Sequence, residues 1–256
     1  PDSPSIHFNR YFLAFHRGDQ AGMNAVLTLF KGKPEEADAL VISADTAAYF
    51  GKMKEVATLT ARAHEMFKSQ KRNENAAQIM TALAERQALI GRCQEARQNV
   101  AAGLMLDRGQ ITLGGAGLAL AGCNDTVQAQ ALIDEALKLY PQSTPTVRII
   151  VPIMKARLAL MRGNGAEALQ LLESLRSYEV GLISGMSSLY LRGESYLLQK
   201  MGKEATAEFE KILAHPGVDD FAIQHVLAHL GLARAAVLMN DEAKARKEYQ
   251  DFLALW

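Results

Sequence analysis

The side chains that could do chemistry are few and scattered. His225 and His229 stand four residues apart, so a helix puts both on one face, where they could supply two ligands to a metal ion. No Glu adjoins the first His as in a zinc-protease helix, and no third ligand is evident. Packed or capping histidines are the expectation, and no metal is assigned. His7, His16, His64 and His215 fall in separate parts of the chain. Cys93 and Cys123 are the only cysteines, and neither belongs to a Cys-x-x-Cys pair. They read as small turn residues that neither build a disulfide framework nor fix a redox compartment. Gly114-Gly115-Ala116-Gly117 lacks the preceding strand and the spacing of a dinucleotide fingerprint. Its expected role is close helix packing. No Gly-x-Ser-x-Gly elbow occurs. No catalytic residue and no cofactor is assigned, and the chain reads as a non-enzyme.

The elements that would position these residues are helices. Of 256 residues 49% are apolar, ample for a core, and Pro is scarce. Lys and Arg total 28 against 28 acids, which gives no long-range pull on nucleic acid or an anionic membrane. Nucleic acid is therefore not an expected partner. The most membrane-like stretch, 111–122, is far shorter than the roughly 20 apolar residues that span a bilayer. It reads as a buried helix whose small residues admit a close neighbour. The chain starts at Pro1 without Met or a signal-peptide pattern and stops at Trp256 inside an amphipathic run. Both ends are expected to be cuts from a longer protein.

A short phrase recurs: a helix, a Gly or Asn turn, then a small residue early in a second helix. Its clearest copies are Ile90-Gly91-Arg92-Cys93-Gln94-Glu95-Ala96, Arg162-Gly163-Asn164-Gly165-Ala166-Glu167-Ala168 and Met201-Gly202-Lys203-Glu204-Ala205. Phe50-Gly51 and Met239-Asn240 open two more. The small or apolar residue of the second helix is Met23, Val56, Ala96, Ala129, Ala168, Ala205 and Ala245 in turn, at spacings of 33–40 residues. Gly or Asn accepts the left-handed conformation that ends the first helix. Thr144-Pro145 and Ser3-Pro4 read as N-caps followed by Pro, and Lys33-Pro34-Glu35-Glu36 adds acids to a first turn. Pro152 falls inside a predicted helix and is expected to kink it.

This pattern resembles the tetratricopeptide repeat, with its small residues at the helix crossing, its Gly turn and its closing Pro, here Pro141. The resemblance implies an all-α fold: a right-handed superhelix, or α-solenoid, of about seven antiparallel helix pairs. Residues 1–256 then form one repeat domain, with copies at roughly 4–33, 37–70, 74–107, 110–141, 145–180, 186–216 and 220–256. One helix pair cannot bury its apolar stripe alone, and stacking buries the stripes continuously.

The second half resembles something narrower. Tyr140-Pro141, Val151-Pro152-Ile153-Met154-Lys155-Ala156, Arg162-Gly163-Asn164 and Tyr178-Glu179-Val180-Gly181 occur in that order. They are followed by Leu191-Arg192-Gly193-Glu194-Ser195-Tyr196-Leu197, then a run from Ala207 to His215 and another from Tyr249 to Trp256. Together they look like the C-terminal repeat region of multidomain bacterial serine/threonine kinases. Arg148-Ile149-Ile150 is more aliphatic than that pattern. No glycine-rich phosphate loop, His-Arg-Asp or Asp-Phe-Gly motif of a kinase core is present. The resemblance implies a sensor or docking arm in a signalling protein, in the cytoplasm or on the outer side of a membrane-anchored parent, touching a membrane only through a missing upstream segment.

In the tetratricopeptide family five positions of each first helix face the concave groove, and two of them are mapped onto this chain. Here one set is Phe8, Val41, Thr81, Gly114, Ile153, Tyr190 and Leu230, and the other is Phe12, Asp45, Glu85, Leu118, Arg157, Glu194 and Arg234. The resemblance thus implies a partner-binding groove formed by Asp45, Glu85, Ile153, Arg157, Tyr190, Glu194, Leu230 and Arg234. The competing reading is that these charges neutralise one another, Arg157 and Arg234 flanking Glu194. The expected function is a scaffold that binds a protein or peptide in the groove. The alternatives are a structural or dimerisation spacer, with a homodimer as partner, and a small-molecule sensor or enzyme, which needs converging polar groups in a closed pocket.

Overall fold

The computed structural model describes residues 3–181 and 185–256, and within them it has fourteen α-helices and no strand. They are α1 Pro4–His16, α2 Gln20–Phe30, α3 Glu36–Tyr49, α4 Met53–Ser69, α5 Asn73–Leu89, α6 Cys93–Leu106 and α7 Gln110–Gly122. The rest are α8 Thr126–Leu139, α9 Val151–Met161, α10 Gly165–Glu173, α11 Ser187–Leu198, α12 Gly202–Leu213, α13 Ile223–Leu238 and α14 Glu242–Leu255. Each odd-numbered helix packs on the even-numbered one that follows, and α5, α7, α9, α11 and α13 stack side by side as an inner layer. This is the expected all-α superhelix of stacked pairs. No helix among the described residues is long and apolar enough to cross a membrane.

The periodic small residues explain the stacking. Met23, Val56, Ala96, Ala129, Ala168, Ala205 and Ala245 are all buried. In the sixth pair the closeness is extreme. The Phe209 ring lies between Gly193 of α11 and Gly231 of α13, and a Cβ on either glycine would come within 2.5 Å of it. Six of the seven first helices end as the turn residues predict: Gly18, Gly51, Gly91, Asn124, Gly163 and Asn240 all have positive φ. Four second helices are capped by side chains, Asp19, Asp125, Asn164 and Asp241, each accepting from a backbone N–H three residues on.

The structure departs from the sequence expectations at four places. In the sixth pair Lys200, not Gly202, takes the left-handed turn (φ 59°). Gly202 instead opens α12 against α13, where a Cβ would lie 2.8 Å from Met239. Thr144 is already helical and makes no cap; the Ser143 hydroxyl accepts from the Thr146 amide at 3.3 Å. Pro152 sits in the first turn of α9, preceded by a π-helical stretch Pro145–Ile150. The wider π winding takes up the ring that would otherwise kink an α-helix. Finally, Cys93 and Cys123 are joined in a disulfide with Cα atoms 5.4 Å apart. Stacking places the turn before α6 beside the turn after α7, a contact no local pattern announces.

Arg192 of α11 is fully buried. It donates to Glu208 of α12 at 3.0 Å and to Glu179 in the connection after α10. A buried guanidinium is tolerable only with its charge and its donors matched, so this trio fixes how the fifth and sixth pairs meet.

The ends of the solenoid also meet. The connection between α12 and α13 carries Phe221 into a cluster with Tyr11, Phe12 and Phe15 of α1, ring centroids 4.7–6.0 Å apart. His16 pairs with Asp220 at 2.5 Å, α13 touches α3, and Trp256 packs on Gly51. The seventh pair thus closes against the first and second, and the concave face becomes a cavity.

Candidate functional site

The inner helices line that cavity, because the small residues at the crossings leave their opposite sides facing the axis. Three connected spaces share Glu85 of α5. An apolar lobe of about 410 Å³ is bounded by Ile111, Leu118, Ile150 and Ile153, with Gly114 and Gly115 as its floor. A polar lobe of about 200 Å³ is bounded by Asp45, Arg86, Ser187, Asp219 and Gln224. Between them a neck of about 20 Å³ is lined by Leu89, Arg157 and Tyr190.

Of the eight residues expected to form a groove, Glu85, Ile153, Arg157 and Tyr190 come together at the neck. Asp45 borders the polar lobe and is held by Arg86 at 2.5 Å. Glu194 and Arg234 pair with each other at 3.7 Å. Leu230 is half-buried on α13 and lies outside the lining of all three spaces. The mutual neutralisation weighed from the sequence holds in part: Arg234 is committed to Glu194, whereas Arg157 makes no ion pair or hydrogen bond among the described residues.

Electrostatics here are set by burial. Desolvation raises the Glu85 pKa, opposed by Arg86 and Arg157. It likewise raises Glu194, opposed by Arg234, Arg157 and a hydrogen bond from Tyr190. Tyr190 is pushed well above its usual value by burial and then by Glu194, so it stays a neutral donor. Asp219 is raised by burial and then by Asp45. Glu85 itself makes no hydrogen bond or ion pair among the described residues, which leaves a carboxyl at the junction of the lobes without a partner.

Arg86, Ser187, Asp219, Phe221 and Gln224 were not anticipated as cavity residues. One signal could have found some of them. The interval from Ala205 to Ala245 is among the longest between repeats, and the extra residues are those of the connection that crosses the concave face.

The histidine pair divides. His225 is buried, and its Nε2 has no partner among the described residues. His229 turns instead to α14, its Nδ1 2.7 Å from Glu248. His229, Glu248 and Asp251 bring donor atoms within 4.8 Å of one another, but Lys247 already holds Asp251 at 2.6 Å. The cluster reads as a network of ion pairs.

No family model matches the chain, and no curated protein matches it. A solved tetratricopeptide repeat protein from Parabacteroides merdae superposes with a TM-score of 0.55 at 15% identity, covering 98% of this chain and 93% of that one. The fold is that of a tetratricopeptide repeat protein. Two further solved chains overlap more loosely. MamA from Desulfovibrio magneticus gives a TM-score of 0.41 at 19% identity over 70% of this chain and 94% of its own. The tetratricopeptide domain of P58(IPK) gives 0.34 at 14% identity over 98% and 83%.

Proposed function

We propose that this chain is a protein-binding module that takes a segment of its partner into the concave cavity. The observation that carries the reading is the unpartnered Glu85 at the mouth of an apolar lobe, a pairing of anchor pocket and orienting polar group that suits recognition. The resemblance of residues 140–256 to kinase-linked repeats supports a finer reading, in which the module is the docking or sensor arm of a bacterial serine/threonine kinase.

The test is recovery of partners from the source cell with intact protein, then with Arg157→Ala, Tyr190→Ala, and Ala82→Trp, which fills the cavity from α5. Folded variants that lose partners support the reading. Variants that keep the same partners at the same strength overturn it and move attention to the outer face. A second reading, association of two copies through the last pair, rests on the exposed Val237, Tyr249 and Leu253. Sedimentation that stays monomeric at high concentration removes it.

A further inference from the structure

Inside the solenoid, a first helix packs on the pair before it through one stripe of side chains. On α11 the stripe is Ser188, Arg192 and Ser195, and on α13 it is Ala228, Leu232 and Ala235; none is more than 2% exposed. Arg192 donates to the Leu172 carbonyl of α10 at 3.5 Å. The far ends of the stripes lie on the starts of α10 and α12. A Cβ on Gly165 would come 2.9 Å from the Ser195 carbonyl oxygen, and one on Gly202 3.0 Å from that of Ala235. The same glycines also meet Gln199 and Met239, each four residues further along its helix.

The chain carries both halves of this contact uncovered. On α1 the same spacing gives Ile6, Arg10 and Leu13, with Ile6 50% and Leu13 56% exposed. Closure against Phe221 uses Tyr11, Phe12 and Phe15, on another side of α1. On the receiving side, Leu172 of α10 and Phe209 of α12 are fully buried, whereas their counterpart Tyr249 of α14 is 38% exposed. Val237 and Leu253 beside it are 55% and 67% exposed. A cleft of about 520 Å³ between α13 and α14 is bounded by Val237, Glu242, Arg246 and Tyr249. Terminal units of a solenoid ordinarily turn a polar face to water; here both ends offer apolar side chains that match the chain's own stacking contact.

The internal register says what would meet across such a contact. Arg192 over Leu172 places Arg10 of a second copy over the Tyr249 ring, a favourable cation–π arrangement. Gln199 and Met239 over Gly165 and Gly202 place Arg17 over Glu242. Both are exposed, and neither side chain has an ion pair or hydrogen bond among the described residues. One turn on from Glu242, the exposed Arg246 can lay its stem over Leu13 and keep its charge in water. At the other end Ile6 falls opposite Leu253.

We infer that the α13–α14 cleft receives α1 of a second copy, so that two molecules stack as the sixth and seventh pairs do within one. This takes further the second reading above, association through the last pair, by naming the face of the other copy that docks. The two faces differ, so each added copy leaves one face free at each end, and association proceeds past the dimer.

The experiment is sedimentation velocity on the full chain over a range of concentrations, with Leu13→Glu to block the first face and Val237→Glu to block the second. Both positions are exposed, and circular dichroism checks each fold. The unaltered chain should form species larger than a dimer as concentration rises. Each variant alone should stay monomeric. An equimolar mixture of the two should double in mass and stop there, because one intact face of each kind remains. A Leu13→Glu chain that associates like the unaltered one overturns the inference and leaves association through the last pair standing. A mixture that stays monomeric also overturns it. An unaltered chain that stays monomeric throughout removes both, assigns the two faces to other occupants and leaves the cavity reading untouched.

Discussion

The ring of Phe221 packs edge-on against that of Phe15, 4.7 Å between centroids, and joins the last helix pair to the first. Tyr11 and Phe12 complete the contact on α1, and the adjacent His16–Asp220 pair spans 204 positions of sequence.

Phe221→Ala should open this closure. Truncating a buried phenylalanine costs about 3–5 kcal/mol, so the urea midpoint should fall clearly. The scattering radius should also rise as the ends part. A variant with unchanged scattering would show that the other end contacts hold the ring without Phe221.

Gly231→Ala tests the packing around Phe209. Alanine favours a helix over glycine by roughly 1 kcal/mol. A methyl group here would meet the Phe209 ring at 2.5 Å, and overpacking costs about 1–3 kcal/mol. The expected net result is a lower melting temperature; a higher one would mean the ring can move aside.

Reduction of the Cys93–Cys123 bond frees a loop with a sequence separation of 30. Chain-entropy arguments give about 3–4 kcal/mol for such a loop. Melting with and without a thiol reductant should differ accordingly, and the Cys93→Ala, Cys123→Ala double variant should show no such difference. Equal melting of the unaltered chain in both conditions would show that the bond constrains little.

Acid should weaken the fold through His225. Burial, with the nearby His16 charge, lowers its pKa from 6.5 to about 4; Asp220 opposes this and His229 adds slightly to it. A histidine depressed in the folded state contributes nothing adverse above pH about 6.5, where both states are neutral. As pH falls from there toward about 4, the unfolded chain takes up a proton that the folded chain refuses. Stability should therefore fall across that window by up to about 3 kcal/mol. His225→Phe should flatten this part of the denaturation profile; an unaltered slope would assign it to other groups.

The helices were legible because their signals are local. Gly51, Gly91, Asn124 and Gly163 mark turns by their own backbone freedom, and Ala96, Ala129, Ala168 and Ala205 mark crossings by their size. Gly202 misled because a small residue suits a helix contact as well as a turn, and only the position of Lys200 shows which. The candidate site was half legible. Glu85, Ile153, Arg157 and Tyr190 occupy the positions that the tetratricopeptide resemblance turns toward the groove. Asp219 and Phe221 reach the cavity from a connection whose course depends on residues of α1, and no local spacing encodes that. The Cys93–Cys123 bond was hidden for the same reason: it joins equivalent turns of neighbouring pairs.

Closure of the ring changes how the chain should come apart. In an open solenoid each unit feels only its neighbours, so end units fray independently and stability adds up unit by unit. Here α1 and the connection into α13 stabilise each other directly through Phe221, so loss of either terminal pair exposes a second interface as well as its own. Fraying is then suppressed and unfolding becomes more concerted. The same contact slows assembly, since the ends can meet only after nearly all the intervening chain is ordered, and contacts of such long sequence separation form late.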